Sequence, residues 1–217
     1  MTPTITPAPA PTTPPTLPPA APPTLDLLSL TGLKRLTPAQ YHQMGDAGII
    51  MEGDRIELLE GYLVEKPMRN PRHEAGLRRL SVRLPRKLPG GWTLQIQGAV
   101  QFGDSEPEPD GAILRGDETA CDGRLPTVAD VVLLIEVSDT SLVFDRREKG
   151  RIYARAGVPV YWVVNVDDRQ VEVYTDPDQL ASPPAYRTRT DYLPGQDLPI
   201  VLDGQPVGTI PVADLIL

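Results

Sequence analysis

Three residues that could carry out phosphate chemistry stand at the ends of apolar segments in this sequence. Asp110 precedes "GAILR", Glu136 ends "VVLLIE", and Lys149 lies in the charged stretch that follows. A carboxylate at the end of a buried strand costs free energy unless it is paired or bound. Two carboxylates with nearby backbone carbonyls form an all-oxygen site that suits Mg²⁺ or Mn²⁺. A lysine beside them could stabilise charge on a phosphate or help to deprotonate a water.

The elements that must position these three residues follow from the hydrophobic pattern. "VVLLIEV" is apolar on both faces, which predicts a central strand, and "PDGAILR" predicts a second strand. Residues 145–156 predict a helix that ends at Gly157, and "VYWVVNV" predicts a further buried strand. If the strands of Asp110 and Glu136 are antiparallel, and the last strand returns parallel through a right-handed crossover, all three side chains meet at one rim of the sheet.

The remaining segments predict an α/β domain around a mixed sheet. Thr37-Pro38 with Gln40 predicts the start of a short helix, and Asn70-Pro71 predicts the start of a second helix that Pro85 ends or kinks. "RIELLEGYLVEK" predicts a hairpin, "WTLQIQGAVQF" predicts a strand and "QVEVYT" predicts a hairpin partner for "VYWVVNV". The C-terminal segment predicts one strand and a short terminal helix.

Composition sets the domain boundary and the class of protein. Residues 1–25 contain ten prolines and no charged side chain, which predicts a disordered tail before a single domain over 26–217. The sequence shows no secretory signal and no apolar run of about 18 residues, so we expect a cytoplasmic protein without membrane association. Cys121 is the sole cysteine, which excludes an internal disulfide, and the two histidines, His42 and His73, argue against a His/Cys zinc site.

Charge is distributed unevenly along the chain. The net charge of −8 argues against a protein that simply coats nucleic acid, yet residues 66–87 carry eight basic side chains and one acidic side chain. Arg79, Arg83 and Arg86 share one side of the second predicted helix. We predict that these three arginines contact DNA, with an ordinary solvated helix face as the alternative.

Several segments together resemble the Uma-two proteins, endonucleases of the PD-(D/E)XK class. These segments are "RIELLEG" at 55–61, "EPD" at 108–110, "LLIEVSDTS" at 133–141, "DRREKGRIYARAGVPVYWVVN" at 145–165 and the "LPG" near the C-terminus. The resemblance implies a restriction-endonuclease-like core, in which a central mixed β-sheet is flanked by helices. It also implies an Mg²⁺- or Mn²⁺-dependent endonuclease that acts on DNA.

The resemblance extends to individual positions. Asp110 and Glu136 match the metal-binding acids of the family, and Lys149 matches a catalytic lysine that has moved onto the following helix. The superfamily usually has this lysine two positions after the second acid, where this chain has Ser138. Glu57 and His73 match further positions near the family's catalytic site.

Each of these residues also has a simpler interpretation. Asp110 could be a turn residue, Glu136 could form an ordinary ion pair, and His73 could be a hydrogen-bonded core histidine. Lys149 could form a surface pair with Asp145, and the cluster from Asp145 to Glu148 could only cap its helix. No independent pattern supports Glu57.

The same residues leave two other functions open. One alternative is a catalytically silent module that binds nucleic acid or protein on the same fold, and another is metal-dependent chemistry on a small phosphate compound. A homodimer is compatible with the nuclease hypothesis, because cutting two strands needs two sites.

Overall fold

The centre of the structure is a mixed six-stranded sheet. The structure is a computed structural model, and it describes residues 32–216 except for the side chain of Glu52. Residues from Arg35 onward form one compact unit. The tail predicted for residues 1–25 lies outside the described residues. In the part of the chain that the structure describes, no helix is long and apolar enough to span a bilayer.

The strands of the central sheet are arranged in the order β3-β4-β5-β6-β7-β8. They are β3 (Trp92–Ile96), β4 (Gly111–Arg115), β5 (Val131–Ser138), β6 (Val160–Asn165), β7 (Gln170–Asp178) and β8 (Ala185–Tyr192). β4 runs antiparallel to β5, and β6 runs parallel to β5. The topology predicted around the central strand is therefore confirmed.

Two hairpins lie outside this sheet. β1 (Ile56–Leu59) and β2 (Tyr62–Glu65) form the predicted hairpin, and β9 (Asp197–Leu202) pairs with β10 (Gln205–Pro211) near the C-terminus, before a short 3-10 helix (Val212–Asp214). The prediction of a single C-terminal strand was wrong, because the prolines and glycines of β10 obscure its pattern. The strand predicted from "WTLQIQGAVQF" ends at Ile96, since the following Gln97 has a left-handed φ of 50°.

The first two helices begin as predicted. α1 (Pro38–Asp46) has a capping box formed by Thr37 and Gln40, and α2 (Pro71–Arg83) is capped by the side chain of Asn70. α2 ends before Pro85, where a 3-10 turn (Pro85–Lys87) follows. The cap at Asn70 fixes the first turn of α2, which carries His73.

The helix after β5 differs from the prediction. It begins at α3 (Leu142–Phe144), passes through a π-helical turn (Asp145–Lys149) and continues as α4 (Gly150–Ala156). Gly157 ends it with a left-handed φ of 81°, as predicted. Single π-helical turns are rare and frequently lie at functional sites. Asp145 therefore lies within the helix and does not cap it.

Two apolar cores cover the two faces of the sheet. One contains α2 and the C-terminal hairpin, and the other contains α4 and Phe102. Side chains of β5 alternate between them, so that Ile135 and Val137 face the first core and Leu134 faces the second. Glu136 has the same parity as Leu134, and this directs its carboxylate toward α4.

Candidate active site

The register of β4 and β5 brings the two predicted acids together. Gly111 pairs with Ile135, so the preceding Asp110 lies beside the following Glu136. The backbone N–H of Val137 donates to Oδ2 of Asp110 at 2.9 Å. Both carboxylates are buried, with relative exposures of 8% for Asp110 and 4% for Glu136.

Lys149 reaches these carboxylates from the π-helical turn. Its Nζ donates to Oε1 of Glu136 at 2.8 Å and lies 3.5 Å from Oε1 of Glu57. The lysine side chain is only 7% exposed. The alternative of a surface pair with Asp145 was therefore wrong.

Asp145 has a different set of partners. Its Oδ2 accepts hydrogen bonds from Ser138 Oγ at 2.7 Å and from Ser141 Oγ at 2.5 Å, and the residue is buried. Ser138, at the usual position of the superfamily's lysine, thus binds the start of the π-helical turn. This contact links the end of β5 to the turn that carries Lys149.

His73 and Glu57 complete the group. Nε2 of His73 lies 3.0 Å from Oδ2 of Asp110, and Oε2 of Glu57 accepts the backbone N–H of Glu108 at 3.0 Å. The structure thus brings together all five residues predicted for catalysis, and they line one pocket: Glu57, His73, Asp110, Glu136 and Lys149.

Burial and charge act on the ionisation of these groups. Burial raises the pKa of Glu136 above its usual range, and Asp145 and Asp110 act in the same direction against the opposing charge of Lys149. Burial alone would lower the pKa of Lys149, but the nearby carboxylates, Glu136 first, raise it above its usual range. Lys149 is therefore a cation at neutral pH.

Asp110 and His73 stabilise each other's charged form, so partner interactions outweigh burial in setting both pKa values. Burial alone would raise the pKa of Asp110, but the hydrogen bond and charge of His73 and the N–H of Val137 lower it. Burial alone would lower the pKa of His73, but the hydrogen bond and charge of Asp110 raise it. Asp110 is therefore ionised at neutral pH and stays available as an anionic ligand.

Sequence reasoning missed two side chains that hold the acids. Tyr153 donates from its hydroxyl to Oε1 of Glu136 at 2.7 Å, and Gln97 donates from Nε2 to Oδ1 of Asp110 at 3.3 Å. Tyr153 follows Lys149 by four residues in a predicted helix, so helical spacing could have placed both on one face. No comparable signal marks Gln97, because it follows β3 in a loop.

Comparison with known proteins places these features in a family. The sequence model of the Uma2 family, described as "Putative restriction endonuclease", matches residues 38–208. The chain belongs to the Uma2 family. No curated protein matches the sequence.

A solved structure supports the fold of this Uma2 chain. The crystal structure of a "putative nuclease belonging to DUF820" from Anabaena variabilis is similar, with a TM-score of 0.53 over 78% of this chain and 94% of that chain. The two sequences are 16% identical, so the likeness concerns the fold alone. The predicted restriction-endonuclease-like α/β fold is confirmed.

The structure does not bring the three arginines predicted for DNA contact to the pocket of the Uma2 chain. Arg79 donates to the carbonyls of Ala213 and Ile216, and Arg83 lies 3.3 Å from Asp214. These contacts attach α2 to the C-terminal segment. Arg86 is exposed, and DNA contact by the three remains a prediction.

The pocket of the Uma2 chain has donor chemistry that fits a divalent cation. Five buried acidic side chains line it, together with the buried Lys149: Glu57, Asp110, Glu136, Asp139 and Asp145. Lys149 and Tyr153 both bind Oε1 of Glu136, and no described residue hydrogen-bonds Oε2.

Among the acids of this pocket, the carboxylates of Asp110 and Glu136 are the two that we assign as ligands of a cation. No group of three or more His, Cys, Asp or Glu side chains in the described residues could hold a metal by itself. Mg²⁺ commonly binds one or two carboxylates and takes water and substrate oxygens for its remaining positions. Asp110 and Glu136 would therefore hold the cation.

Proposed function

We propose that this Uma2 protein is a nuclease that hydrolyses phosphodiester bonds in DNA and depends on Mg²⁺ or Mn²⁺. The observation that carries the proposal is the contact of Lys149 with Glu136, beside Asp110, in one pocket. A lysine and two acids at the end of adjacent strands supply the charges that phosphodiester hydrolysis requires. The family description supports the nuclease class of this activity.

The acids are held by residues from several elements. His73, Gln97 and the N–H of Val137 all bind Asp110, and this fixes the orientation of its carboxylate. Partners of this kind orient metal ligands and tune their affinity. Tyr153 binds Oε1 of Glu136 in the same way, and Oε2 has no hydrogen-bond partner among the described residues.

Lys149 acts as a cation in the proposed reaction. When bound, a divalent ion would lower the pKa of a water and neutralise charge on the phosphate. The carboxylates around Lys149, Glu136 first, raise its pKa, which favours the protonated ammonium over a neutral amine that would act as a base. Of the two roles considered for Lys149, stabilisation of the negative charge on the phosphate therefore has the better support.

The proposal is tested with purified protein and three substrates: supercoiled plasmid, single-stranded DNA and single-stranded RNA. Each is incubated with Mg²⁺, Mn²⁺ or EDTA, and products are separated on gels. We expect DNA cleavage with either metal and none with EDTA or with Asp110→Asn. Equal cleavage by the wild type and Asp110→Asn would contradict the assignment of the activity to this pocket.

Two results would favour other readings. DNA binding without cleavage by the wild type, under every metal condition, would favour the catalytically silent module. Hydrolysis of small phosphate esters without cleavage of nucleic acid would favour chemistry on a small phosphate compound. A homodimer belongs to the proposal because two-strand cutting needs two sites, and light scattering of the purified protein tests it.

A further inference from the structure

A second cavity lies next to the candidate active site and shares a wall with it. Four residues line both cavities: Arg55, Lys66, Arg69 and Glu108. The far side of the second cavity is formed by Tyr41 and His42 of α1 and by Glu106. A polymeric substrate whose phosphate lies in the active site would reach this cavity with a neighbouring unit.

The shared wall is basic in a chain that is acidic overall. Lys66 pairs with Glu108. The guanidinium of Arg69 lies 3.8 Å from the carboxylate of Glu74, and the side chains of Arg69 and Glu74 are each more than a third exposed. An exposed pair at this distance contributes little, so the guanidinium of Arg69 is available to another anion. Arg55 donates to the carbonyl of Pro67 and holds the backbone between these basic residues. The wall can therefore receive a phosphate.

The far side of the cavity carries an acceptor without a donor. Glu106 is 2% exposed, and its Oε2 lies 2.7 Å from Nε2 of His42. Its Oε1 is buried and has no hydrogen-bond partner among the described residues. A buried carboxylate oxygen without a donor costs free energy. A ligand that brings an N–H group to Glu106 would remove this cost.

Aromatic rings stand beside this acceptor. Tyr41 and His42 pack edge to face with their ring centres 6.0 Å apart, and the His42 side chain is half exposed. Single-stranded nucleic acids bind where a basic groove follows the backbone and aromatic side chains meet the bases. Cytosine and adenine carry an exocyclic amino group that donates to a carboxylate, whereas thymine presents a carbonyl oxygen at that position.

We propose that this cavity is a subsite for the nucleotide next to the scissile phosphate, in a single-stranded or locally unpaired DNA. Lys66 and Arg69 bind its phosphate, His42 and Tyr41 contact its base, and Glu106 accepts a hydrogen bond from the base amino group. The inference rests on the proposed nuclease function and adds a base preference to it.

The test measures the affinity of fluorescein-labelled 12-mers of deoxycytidine, deoxyadenosine and deoxythymidine by anisotropy. Ca²⁺ replaces Mg²⁺ as a hard cation with oxygen ligands. We expect the wild type to bind the first two about five- to tenfold more tightly than the third. In Glu106→Gln the amide oxygen can retain His42 and the amide N–H₂ faces the base, so the preference should reverse toward thymine.

The basic wall is tested separately from the base contact. Lys66→Gln with Arg69→Gln should weaken the binding of all three 12-mers equally and reduce the slope of log affinity against log salt by about 1.4, for two lost phosphate contacts. Arg187→Gln, an exposed arginine outside both cavities, is the matched control and should leave affinity and slope unchanged. The pair Arg83→Gln and Arg86→Gln, called the α2 pair below, tests the competing surface at the end of α2 and in the 3-10 turn that follows it.

A third measurement keeps the proposal testable if Glu106→Gln fails to fold. A single abasic site is moved along a 12-mer of deoxycytidine, and the wild type should lose affinity most at one position. Equal affinity at every position, or loss of affinity only in the α2 pair, would overturn the subsite. If the wild type still cuts DNA, the nuclease function stands without the subsite. If the wild type neither binds nor cuts any DNA, both proposals fail.

Discussion

Lys149 donates a hydrogen bond to Glu136 at 2.8 Å across a separation of thirteen residues in the chain. The carboxylate ends a buried strand, and the ammonium comes from a π-helical turn in the helix that follows. Each group would be costly to bury alone, and the contact offsets part of that cost. The pair therefore explains why a strongly apolar strand ends in a carboxylate, and it predicts how the site responds when either charge is removed.

Removing the charge of Lys149 should separate catalysis from metal binding. We expect Lys149→Met, which keeps the length of the side chain, to lower turnover by roughly 10²–10³-fold, the loss typical of one transition-state donor. Mn²⁺ affinity measured by calorimetry should hold or rise, because a neighbouring positive charge is gone.

The same variant should alter stability in a metal-dependent way. Without Lys149, the carboxylates of Glu57 and Glu136 lose their cation, so the melting temperature should fall in EDTA and recover with Mn²⁺. Lys87→Met, at an exposed lysine, is the control and should match the wild type. Full turnover in Lys149→Met would remove the lysine from the proposed mechanism.

The metal ligands and their supporting residues should differ in the size of their effect. We expect Asp110→Asn to abolish measurable Mn²⁺ binding, whereas His73→Ala, which only orients Asp110, should weaken binding by about 10–100-fold. Asp203→Asn changes an exposed aspartate paired with Arg115 and serves as the control. Equal Mn²⁺ affinity in all four proteins would place the metal elsewhere.

The sequence was sufficient to predict the meeting of Asp110, Glu136 and Lys149. Strand ends and a right-handed crossover define that rim, and both are local or topological properties. The π-helical turn was not predictable, because the contact between Ser138 and Asp145 depends on tertiary structure. The helix pattern alone therefore suggested a surface pair where the structure has a buried lysine.

Long-range contacts account for the other differences. The contacts of Arg79 and Arg83 with the C-terminal segment join residues more than a hundred positions apart, and no local pattern records them. β8 was not predicted because its side chains are mostly exposed and polar, as an edge strand allows. Glu57 was suggested by the family resemblance alone, since its contact with Lys149 crosses from the hairpin to the helix.

A buried carboxylate away from the pocket should make folding sensitive to acid. Burial alone would raise the pKa of Glu172, but hydrogen bonds from Arg146, Asn165 and Tyr174 lower it to about 2. An unfolded glutamate has a pKa of about 4.3. Because the pKa of Glu172 is lower in the folded state than in the unfolded state, its ionised carboxylate stabilises the fold. This contribution to the free energy of unfolding is complete above about pH 4.3 and is lost as the pH falls toward 2.

Urea unfolding at pH 7 and pH 3 measures this contribution. The free energy of unfolding of Glu172→Gln should lie well below that of the wild type at pH 7, and the difference should shrink at pH 3. Glu118→Gln, at an exposed position, should follow the wild type at both values. A difference that stays constant with pH would show that Glu172 acts through packing and not through its charge.

The close approach of α2 to β5 should set the position of His73. A Cβ at Gly76 would lie 2.7 Å from Cγ1 of Val137, so Gly76→Ala must move the helix or the strand. Overpacking of this kind typically costs about 1–3 kcal/mol, and the shift should also draw His73 away from Asp110. We therefore expect a lower melting temperature together with weaker Mn²⁺ binding.

Gly45→Ala is the matched control, because no atom lies within 4 Å of its Cβ, and it should leave Mn²⁺ binding unchanged. Gly76→Ala with lower stability but wild-type Mn²⁺ affinity would show that α2 packing does not control the site.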